Sequence, residues 1–273
     1  MAQFGKRRAL GQHFLKDQSV ISTIVDTTME MAHENNCASL LEIGPGRGAL
    51  TEGLMDRFQK DPAALREFTL CERDNALAFE WKKKLESVPG MRIHHGDFLE
   101  LEEKDWLTQK PMAVVSNLPY ASGTAIFLKL AEHHSSIPVM VLMFQAEVAK
   151  RLRAEPDTKS WGSLSIWTQN FWEVSKLLSV APGACAPPPE VDSEVAVFKP
   201  RTLPLIDIPN PKAWNELLRA CFAHRRKMLR SGLPKAGPLR NALELAGVND
   251  TKRAEALDWD EWKKLYQAYL GQF

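Results

Sequence analysis

Apolar positions change spacing repeatedly between Ser19 and about Phe144. Short continuous apolar runs predict buried strands, whereas apolar residues three and four positions apart predict amphipathic helices. The predicted strands lie at 40–43, 68–71, 91–93, 112–115 and 139–144, and the predicted helices at 20–29, 50–58, 77–85 and 125–131. This alternation indicates an α/β fold with a mainly parallel sheet and helices on both faces.

The pattern changes in the second half of the chain. Two strand-like runs, 174–180 and 194–198, flank the proline cluster at 187–189, which disfavours a helical crossover and predicts an antiparallel sheet edge. After Pro200 the prolines at 204, 209 and 211 indicate a linker, and apolar spacing then predicts amphipathic helices at 214–222, 239–246 and 259–270. We therefore predict two domains, 1–202 and a small all-helical domain at 203–273.

Composition narrows the class of protein. The chain has 273 residues, 44% of them hydrophobic, and a formal net charge of +1, which is typical of a folded protein and not of a disordered one. Cys37, Cys71, Cys185 and Cys221 form no CxxC pair or zinc pattern, so we expect free thiols and no metal. The absence of a signal-like or membrane-spanning apolar run predicts a cytoplasmic protein.

Candidate chemistry lies at the ends of the first three predicted strands. The glycine-rich segment 42–48 follows the first strand and opens a helix, where Gly44 and Gly46 let a ligand approach the backbone closely. Glu72 ends the second strand and can accept hydrogen bonds from ribose hydroxyls. Asp97 follows the third and can accept one from an adenine amino group. These residues predict a nucleoside cofactor but do not distinguish a nicotinamide from S-adenosylmethionine.

The tetrapeptide Asn117-Leu118-Pro119-Tyr120 follows the fourth strand and favours methyl transfer. An exocyclic adenine amino group is a weak nucleophile because its lone pair is delocalised into the ring. Acceptors at the Asn117 amide and the Leu118 or Pro119 carbonyl can hold its two hydrogens, while proline stiffens the loop. Tyr120 offers a face for stacking of a flipped base. Positioning of this kind requires no metal and no activated nucleophile.

Several further segments occur in the order expected of one known family. These segments are Leu10–Leu15, 42–51, Glu72, Asp97, 117–120, Phe144–Ala149, Pro187–Ser193 and Phe222–Lys227. Together they resemble the ribosomal RNA adenine dimethyltransferase family, and the resemblance extends almost from end to end. It implies a Rossmann-like S-adenosylmethionine-dependent methyltransferase fold with a small C-terminal helical domain.

The resemblance also assigns residues and partners. It implies that S-adenosylmethionine lies against His13, Leu15, Gly44, Gly46, Glu72, Asp97 and Asn117. It further implies two methyl transfers to N6 of each of two adjacent adenosines near the 3′ end of small-subunit (16S) rRNA, within an assembling 30S particle. We expect a monomer.

Three residues depart from the family pattern. Position 13 is often asparagine, and histidine keeps a hydrogen-bonding side chain there. Cys185 stands where the family usually has phenylalanine, which calls one aromatic wall of the base pocket into question. Glu190 replaces a common lysine, which we expect to weaken a contact with the RNA backbone.

Basic residues are concentrated in one stretch. Between Lys199 and Arg253 there are twelve lysines and arginines but only four acidic residues. We predict that Arg225, Arg226, Lys227 and Arg230, spanning about one helical turn, bind RNA phosphates, and that Lys6–Arg8 forms a basic arm. The competing interpretation of the cluster is a solvated helix face.

Three other functions stay open at this point. A resistance-type large-subunit rRNA adenine methyltransferase would share the motifs, although the long C-terminal domain favours the small subunit. A catalytically dispensable ribosome-assembly factor would not need residues 117–120. A nicotinamide-dependent dehydrogenase would leave the same tetrapeptide unexplained.

Overall fold

The computed structural model describes residues 13–60 and 65–272. The predicted basic arm at 6–8 and the first part of the motif at 10–15 lie outside these ranges. The chain divides into two compact units, one formed by 1–149 with 173–200 and the other by 150–172 with 201–273. Within the described ranges, no helix is long and apolar enough to cross a membrane.

The first unit contains a seven-stranded sheet, with helices in the order that the apolar spacing predicts. Seven strands form this sheet and two more, the first and the eighth in the chain, form a separate pair. In chain order the strands are β1 Phe14–Leu15, β2 Ser39–Ile43, β3 Glu67–Glu72, β4 Met91–His95, β5 Met112–Asn117, β6 Val139–Gln145, β7 Trp172–Val180, β8 Cys185–Ala186 and β9 Ser193–Pro200. Its helices are α1 Gln18–Glu34, α2 Thr51–Lys60, α3 Asn75–Leu85, α4 Glu103–Trp106, α5 Gly123–Ala131 and α6 Ala146–Leu152, the last of which continues into the second unit.

Strand order in the main sheet is β4-β3-β2-β5-β6-β9-β7. The pairs from β4 to β6 are parallel, whereas β9 runs antiparallel to β6, with Met143 opposite Val195. The predicted antiparallel direction is therefore confirmed for β9, and β7 lies beyond it at the edge of the sheet. The order reverses direction between β2 and β5, and ligands of open α/β sheets bind at the carboxyl ends of strands beside such a reversal.

Local sequence explains where the helices around the sheet begin. Asp17 caps α1 by accepting hydrogen bonds from the backbone of Ser19 and Val20, and Asp74 caps α3 in the same manner. Strands β2 and β5 are buried along almost their whole length, because helices cover both faces of the sheet. The small pair β1–β8, which the apolar pattern does not predict, places Leu15 opposite Cys185.

The second unit is helical and has its own core. Its helices are α7 Ser163–Phe171, α8 Pro211–Phe222, α9 Leu229–Gly232, α10 Pro238–Leu245 and α11 Trp259–Leu270. Trp161, Trp214 and Trp262 are buried within it. Asn170 joins α7 to the segment after β9. Its side-chain NH2 donates to the Ile206 carbonyl, and its side-chain oxygen accepts a hydrogen bond from Ile206 N. The segment 150–172, which we predicted to belong to the first domain, thus packs in the C-terminal unit.

Candidate active site

A pocket of about 240 Å³ opens at the carboxyl ends of β2, β3 and β5 in the first unit. All of the predicted cofactor and catalytic residues line it, namely His13, Leu15, Gly44, Gly46, Glu72, Asp97, Asn117, Leu118, Pro119 and Tyr120. The sheet therefore brings together side chains from positions 13 to 120. Their individual roles stay predictions, although their convergence is a feature of the structure.

The glycine loop has backbone conformations that favour glycine. Gly44, Gly46 and Gly48 have φ angles of +70°, +55° and +91°. Apart from the adjacent residues of the chain, no atom of the described ranges lies within 4 Å of the place where a Cβ on Gly44 would stand, so the backbone is open there. A Cβ on Gly46 would instead lie 3.0 Å from the ring of Phe14. The loop thus leaves room on one side for a ligand and packs closely on the other.

Glu72 holds the glycine loop to the end of β3. One carboxylate oxygen accepts a hydrogen bond from Gly46 N at 3.0 Å, and the other accepts one from Asp74 N at 2.8 Å. Burial raises the pKa of Glu72, while these backbone donors oppose the rise. Since each oxygen can accept a further bond, the predicted contact with two ribose hydroxyls is compatible with this geometry.

Asp97 begins a single turn of 3₁₀ helix at Phe98–Glu100. Its Oδ1 accepts a hydrogen bond from Leu99 N at 3.0 Å, and its Oδ2 lies 3.2 Å from Arg73 Nη1. The carboxylate is thereby oriented on both sides. An adenine amino group at this place would share Asp97 with Arg73, a partner that the sequence did not indicate.

Glu42 is the most deeply buried carboxyl group of the pocket. It is 2% exposed, and in the described part of the chain its Oε2 has no hydrogen-bond partner. Burial raises the pKa of Glu42 to about 8, and the nearby charge of Glu72 adds to the rise. We did not predict a role for the Glu42 side chain from the sequence, and the alternative interpretation, a strand-end carboxylate that faces water, does not hold because Glu42 is buried.

The tetrapeptide begins at the last residue of β5. Asn117 Nδ2 donates a hydrogen bond to the carbonyl oxygen of His13 at 2.9 Å. This bond uses the donor end of the amide, so Oδ1 is the acceptor end that remains for a substrate. Ser116, one residue earlier, donates its hydroxyl to the Ile43 carbonyl and ties β5 to the glycine loop.

Tyr120 is anchored from two sides. Its hydroxyl lies 2.5 Å from Ser193 Oγ, and its ring centroid lies 5.1 Å from that of His13. His13 Nδ1 in turn bonds the carbonyl oxygen of Pro187 at 2.8 Å. The predicted proline loop therefore contacts the tetrapeptide directly, through Ser193 and Tyr120, and indirectly, through the bond of Pro187 to His13. Sequence reasoning did not assign Ser193 or Phe14 a place in the site.

Cys185 lies in the core and not on the pocket wall. It is 1% exposed, stands opposite Leu15 in the β1–β8 pair, and packs in the main apolar cluster. Burial raises the pKa of its thiol. This packing leaves the Cys185 side chain with almost no exposed surface to offer a base. All four cysteines are free and buried, as predicted.

The basic cluster does not form the single helical turn that we predicted, because Arg225, Arg226 and Lys227 lie in the turns after α8 whereas Arg230 lies in α9. Arg226, Lys227 and Arg230 are exposed. Arg225 is also partly exposed, but its guanidinium donates to the carbonyls of Lys159 and Trp161 at 2.9 and 2.8 Å and lies 3.2 Å from Glu255. Arg225 therefore stabilises the second unit, while the other three cations are available to a ligand.

Comparison with known proteins identifies the family of the chain. The sequence profile of the family described as ribosomal RNA adenine dimethylase matches residues 3–270. The ribosomal RNA small subunit methyltransferase A of Syntrophotalea carbinolica is 35% identical over 271 residues, covering 98% of each chain. Among solved structures, a dimethyladenosine transferase from Plasmodium falciparum has a TM-score of 0.74 at 23% identity, covering 95% of this chain and 98% of that chain. The 23S rRNA methyltransferase ErmE has a TM-score of 0.65 at 25% identity, covering 93% and 98%.

The fold and the pocket define a Rossmann-like S-adenosylmethionine-dependent methyltransferase with a helical C-terminal region. Within that class, the chain belongs to the ribosomal RNA adenine dimethylase family. The predicted fold class, methyl donor and rRNA adenine dimethylation are thereby confirmed. An assembly factor without chemistry and a large-subunit resistance enzyme are not favoured. In the described residues, no cluster of histidine, cysteine, aspartate or glutamate has the arrangement of a metal site.

Proposed function

We propose that this enzyme dimethylates N6 of two adjacent adenosines near the 3′ end of 16S rRNA. The proposal adds the target and the residue roles to the rRNA adenine chemistry of the family. It is supported by relatives named as small-subunit methyltransferases, which this chain matches over almost their whole length. We further propose a monomer that acts in the cytoplasm on an assembling 30S particle.

The residues of the pocket fit a nucleoside-type methyl donor. The open backbone at Gly44 leaves space for it, and the carboxylates of Glu72 and Asp97 can accept hydrogen bonds from its hydroxyl and amino groups. S-adenosylmethionine, when bound there, supplies a methyl group already activated by the sulfonium charge. The protein then needs to provide only orientation and exclusion of water.

The target amino group is held by the tetrapeptide. Asn117 Oδ1 accepts a hydrogen bond from one N6–H. The amide is oriented for this because its Nδ2 donates to the His13 carbonyl. The Leu118 carbonyl accepts a hydrogen bond from the other N6 hydrogen, since the Pro119 carbonyl already accepts bonds from Ser122 N and Gly123 N, and the two substrate bonds together favour a more tetrahedral nitrogen. Tyr120, whose hydroxyl is fixed by Ser193, provides the face for the flipped base.

The observation that carries the proposal is the placement of Asn117 and Tyr120 in the same pocket as Glu72 and Asp97. The test is methylation of 30S particles that lack the modification, with 50S particles as a parallel substrate, using labelled S-adenosylmethionine and mass mapping of the rRNA. We expect two neighbouring dimethylated adenosines near the 3′ end of 16S rRNA and none with the Asn117→Ala variant. Label in 23S rRNA, or in scattered adenosines, would contradict the assignment.

A further inference from the structure

A lysine outside the pocket lining is bonded to the turn that carries Asp97. Lys129 lies on α5, the helix that follows the tetrapeptide, and its ammonium donates to three main-chain carbonyls, those of Phe98, Leu99 and Leu101, at 2.8, 3.1 and 2.5 Å. An ammonium has three donors, so these bonds use its full capacity. The charge also lies 5.1 Å from the centroid of the Phe98 ring.

The turn held by Lys129 is the one that shapes the Asp97 end of the pocket. Asp97 caps this turn through Leu99 N, and both Asp97 and Phe98 line the pocket. Phe98 is 3% exposed and packs on Trp106, so the position of the turn is fixed by packing as well as by hydrogen bonds. A shift of the turn would therefore move the carboxylate of Asp97 with it.

The tetrapeptide connects to the same helix from the other side. Gly123 N and Ser122 N both donate to the Pro119 carbonyl, which joins the end of the catalytic loop to the first turn of α5. A Cβ on Gly123 would lie 3.3 Å from Leu118 Cβ, so helix and loop are in close contact. Lys129, near the far end of α5, thus connects the loop that holds the target base to the turn that holds Asp97.

We propose that Lys129 is a positioning residue for the adenosine half of the methyl donor, acting through the turn at 98–101. The inference rests on the proposed role of Asp97 at the adenine. Without the ammonium, three carbonyls lose a charged donor and the turn is no longer bound to α5. Binding of the donor weakens as a result, while the geometry of Asn117 and Tyr120 is retained.

The experiment measures S-adenosylmethionine affinity by isothermal titration for Lys129→Met, Asp97→Ala and the double variant of the full chain. Methionine keeps the apolar stem of lysine and removes its donors. We expect Lys129→Met to weaken binding about tenfold and to raise KM for the donor, with kcat at saturating donor within about twofold of the parent. The double variant should lose less than the two single losses combined, because both act through one turn.

Two further variants separate positioning from folding. Lys60→Met removes an exposed lysine that pairs only with Asp56 among the described residues, and it should bind the donor normally. Lys129→Gln retains two uncharged N–H donors on its amide and should have intermediate affinity, which keeps the proposal testable if Lys129→Met does not fold. Thermal unfolding by circular dichroism checks each variant.

Each result bears on a different assignment. Unchanged affinity in Lys129→Met, or strictly additive losses in the double variant, would overturn the positioning role. Unchanged affinity in Asp97→Ala would instead overturn the proposed adenine contact, whatever Lys129→Met does. A loss of affinity in Lys129→Met together with unchanged affinity in Asp97→Ala would overturn the proposed route through Asp97.

Discussion

Individual side chains in this pocket serve the fold and the ligand together. Glu72 illustrates this, because the carboxylate that we expect to meet ribose also accepts the backbone N–H groups of Gly46 and Asp74. His13 does the same with its carbonyl on Asn117 and its ring nitrogen on Pro187. Substitution of such residues changes both the shape of the site and its chemistry, so matched controls are needed.

Tyr120 is expected to carry most of the stacking of the target base, since the Cys185 side chain is buried and does not line the pocket. Tyr120→Ala should slow single-turnover methylation of 30S particles at least about tenfold, because a base–aromatic stack is worth roughly 1–3 kcal/mol. Tyr120→Phe keeps the ring and should retain most of the rate despite losing the bond to Ser193.

Cys185→Ala is the matched control for Tyr120. Because Cys185 packs in the core, this change should lower stability slightly and leave the single-turnover rate of the folded enzyme nearly unchanged. Cys185→Phe should destabilise the protein, by roughly 1–3 kcal/mol for overpacking of a filled core. A rate loss in Cys185→Ala equal to that in Tyr120→Ala would contradict this division.

The raised pKa of the buried Glu42 carboxyl group should make the stability of the protein depend on pH. Its pKa rises from 4.5 to about 8 on folding, so between these values the folded protein keeps a proton that the unfolded chain releases. The free energy of unfolding should therefore fall as pH rises through this window. Glu42→Gln, which has a similar shape and no charge, should reduce that fall and raise the Tm by a few degrees near the upper end.

The measurement for Glu42 is thermal unfolding of the cofactor-free protein across the window. Glu52→Gln is a suitable comparison, since Glu52 is exposed and pairs with Lys84 at the surface. It should leave the pH slope nearly as in the parent. An identical slope in Glu42→Gln and the parent would show that the buried carboxyl does not titrate as inferred.

At the scale of elements, the glycine loop shapes the predicted donor site. Its positive φ angles would strain any residue other than glycine, and Gly46 packs closely on Phe14. Gly46→Ala places a Cβ 3.0 Å from the Phe14 ring at a φ of +55°, which costs roughly 1–2 kcal/mol before any movement of Phe14. We expect at least about tenfold weaker binding of S-adenosylmethionine by isothermal titration.

Gly183→Ala provides the comparison for Gly46. Among the residues that the structure describes, only its neighbours in the chain lie within 4 Å of a Cβ added there, and its φ is not in the left-handed region. Its donor affinity should match that of the parent. Equal affinities for Gly46→Ala and the parent would mean that the loop adjusts and that the close packing on Phe14 is unimportant for binding.

At the scale of the whole molecule, the second unit presents cations of two kinds. Exchanging Arg226 and Lys227 for alanine should weaken RNA binding and reduce its salt slope by about 0.7–0.9 for each phosphate that is no longer neutralised.

Arg225→Ala should chiefly lower thermal stability, since its guanidinium donates hydrogen bonds to Lys159, Trp161 and Glu255. RNA filter binding over a salt series, with donor affinity as the internal control, distinguishes the two. A slope unchanged in the Arg226/Lys227 double variant would return these residues to an ordinary solvated surface.

The sequence by itself determined the alternation of strands and helices, the position of the glycine loop, and the four-residue catalytic loop. These features are local, because apolar spacing and the backbone preferences of glycine and proline act within a few residues. The ordered motifs were also sufficient to predict the family, which profile and relatives confirm.

Only the tertiary structure decided which side chains meet. The burial of Cys185 follows from the pairing of β1 with β8, which joins residues far apart in the chain. The bonds of Arg225 to Trp161 and of Lys129 to the turn at 98–101 likewise connect distant segments. The assignment of 150–172 to the second unit depends on packing of the same kind. Such contacts depend on how whole elements pack, and spacing along one segment contains no information about the surface that it will face.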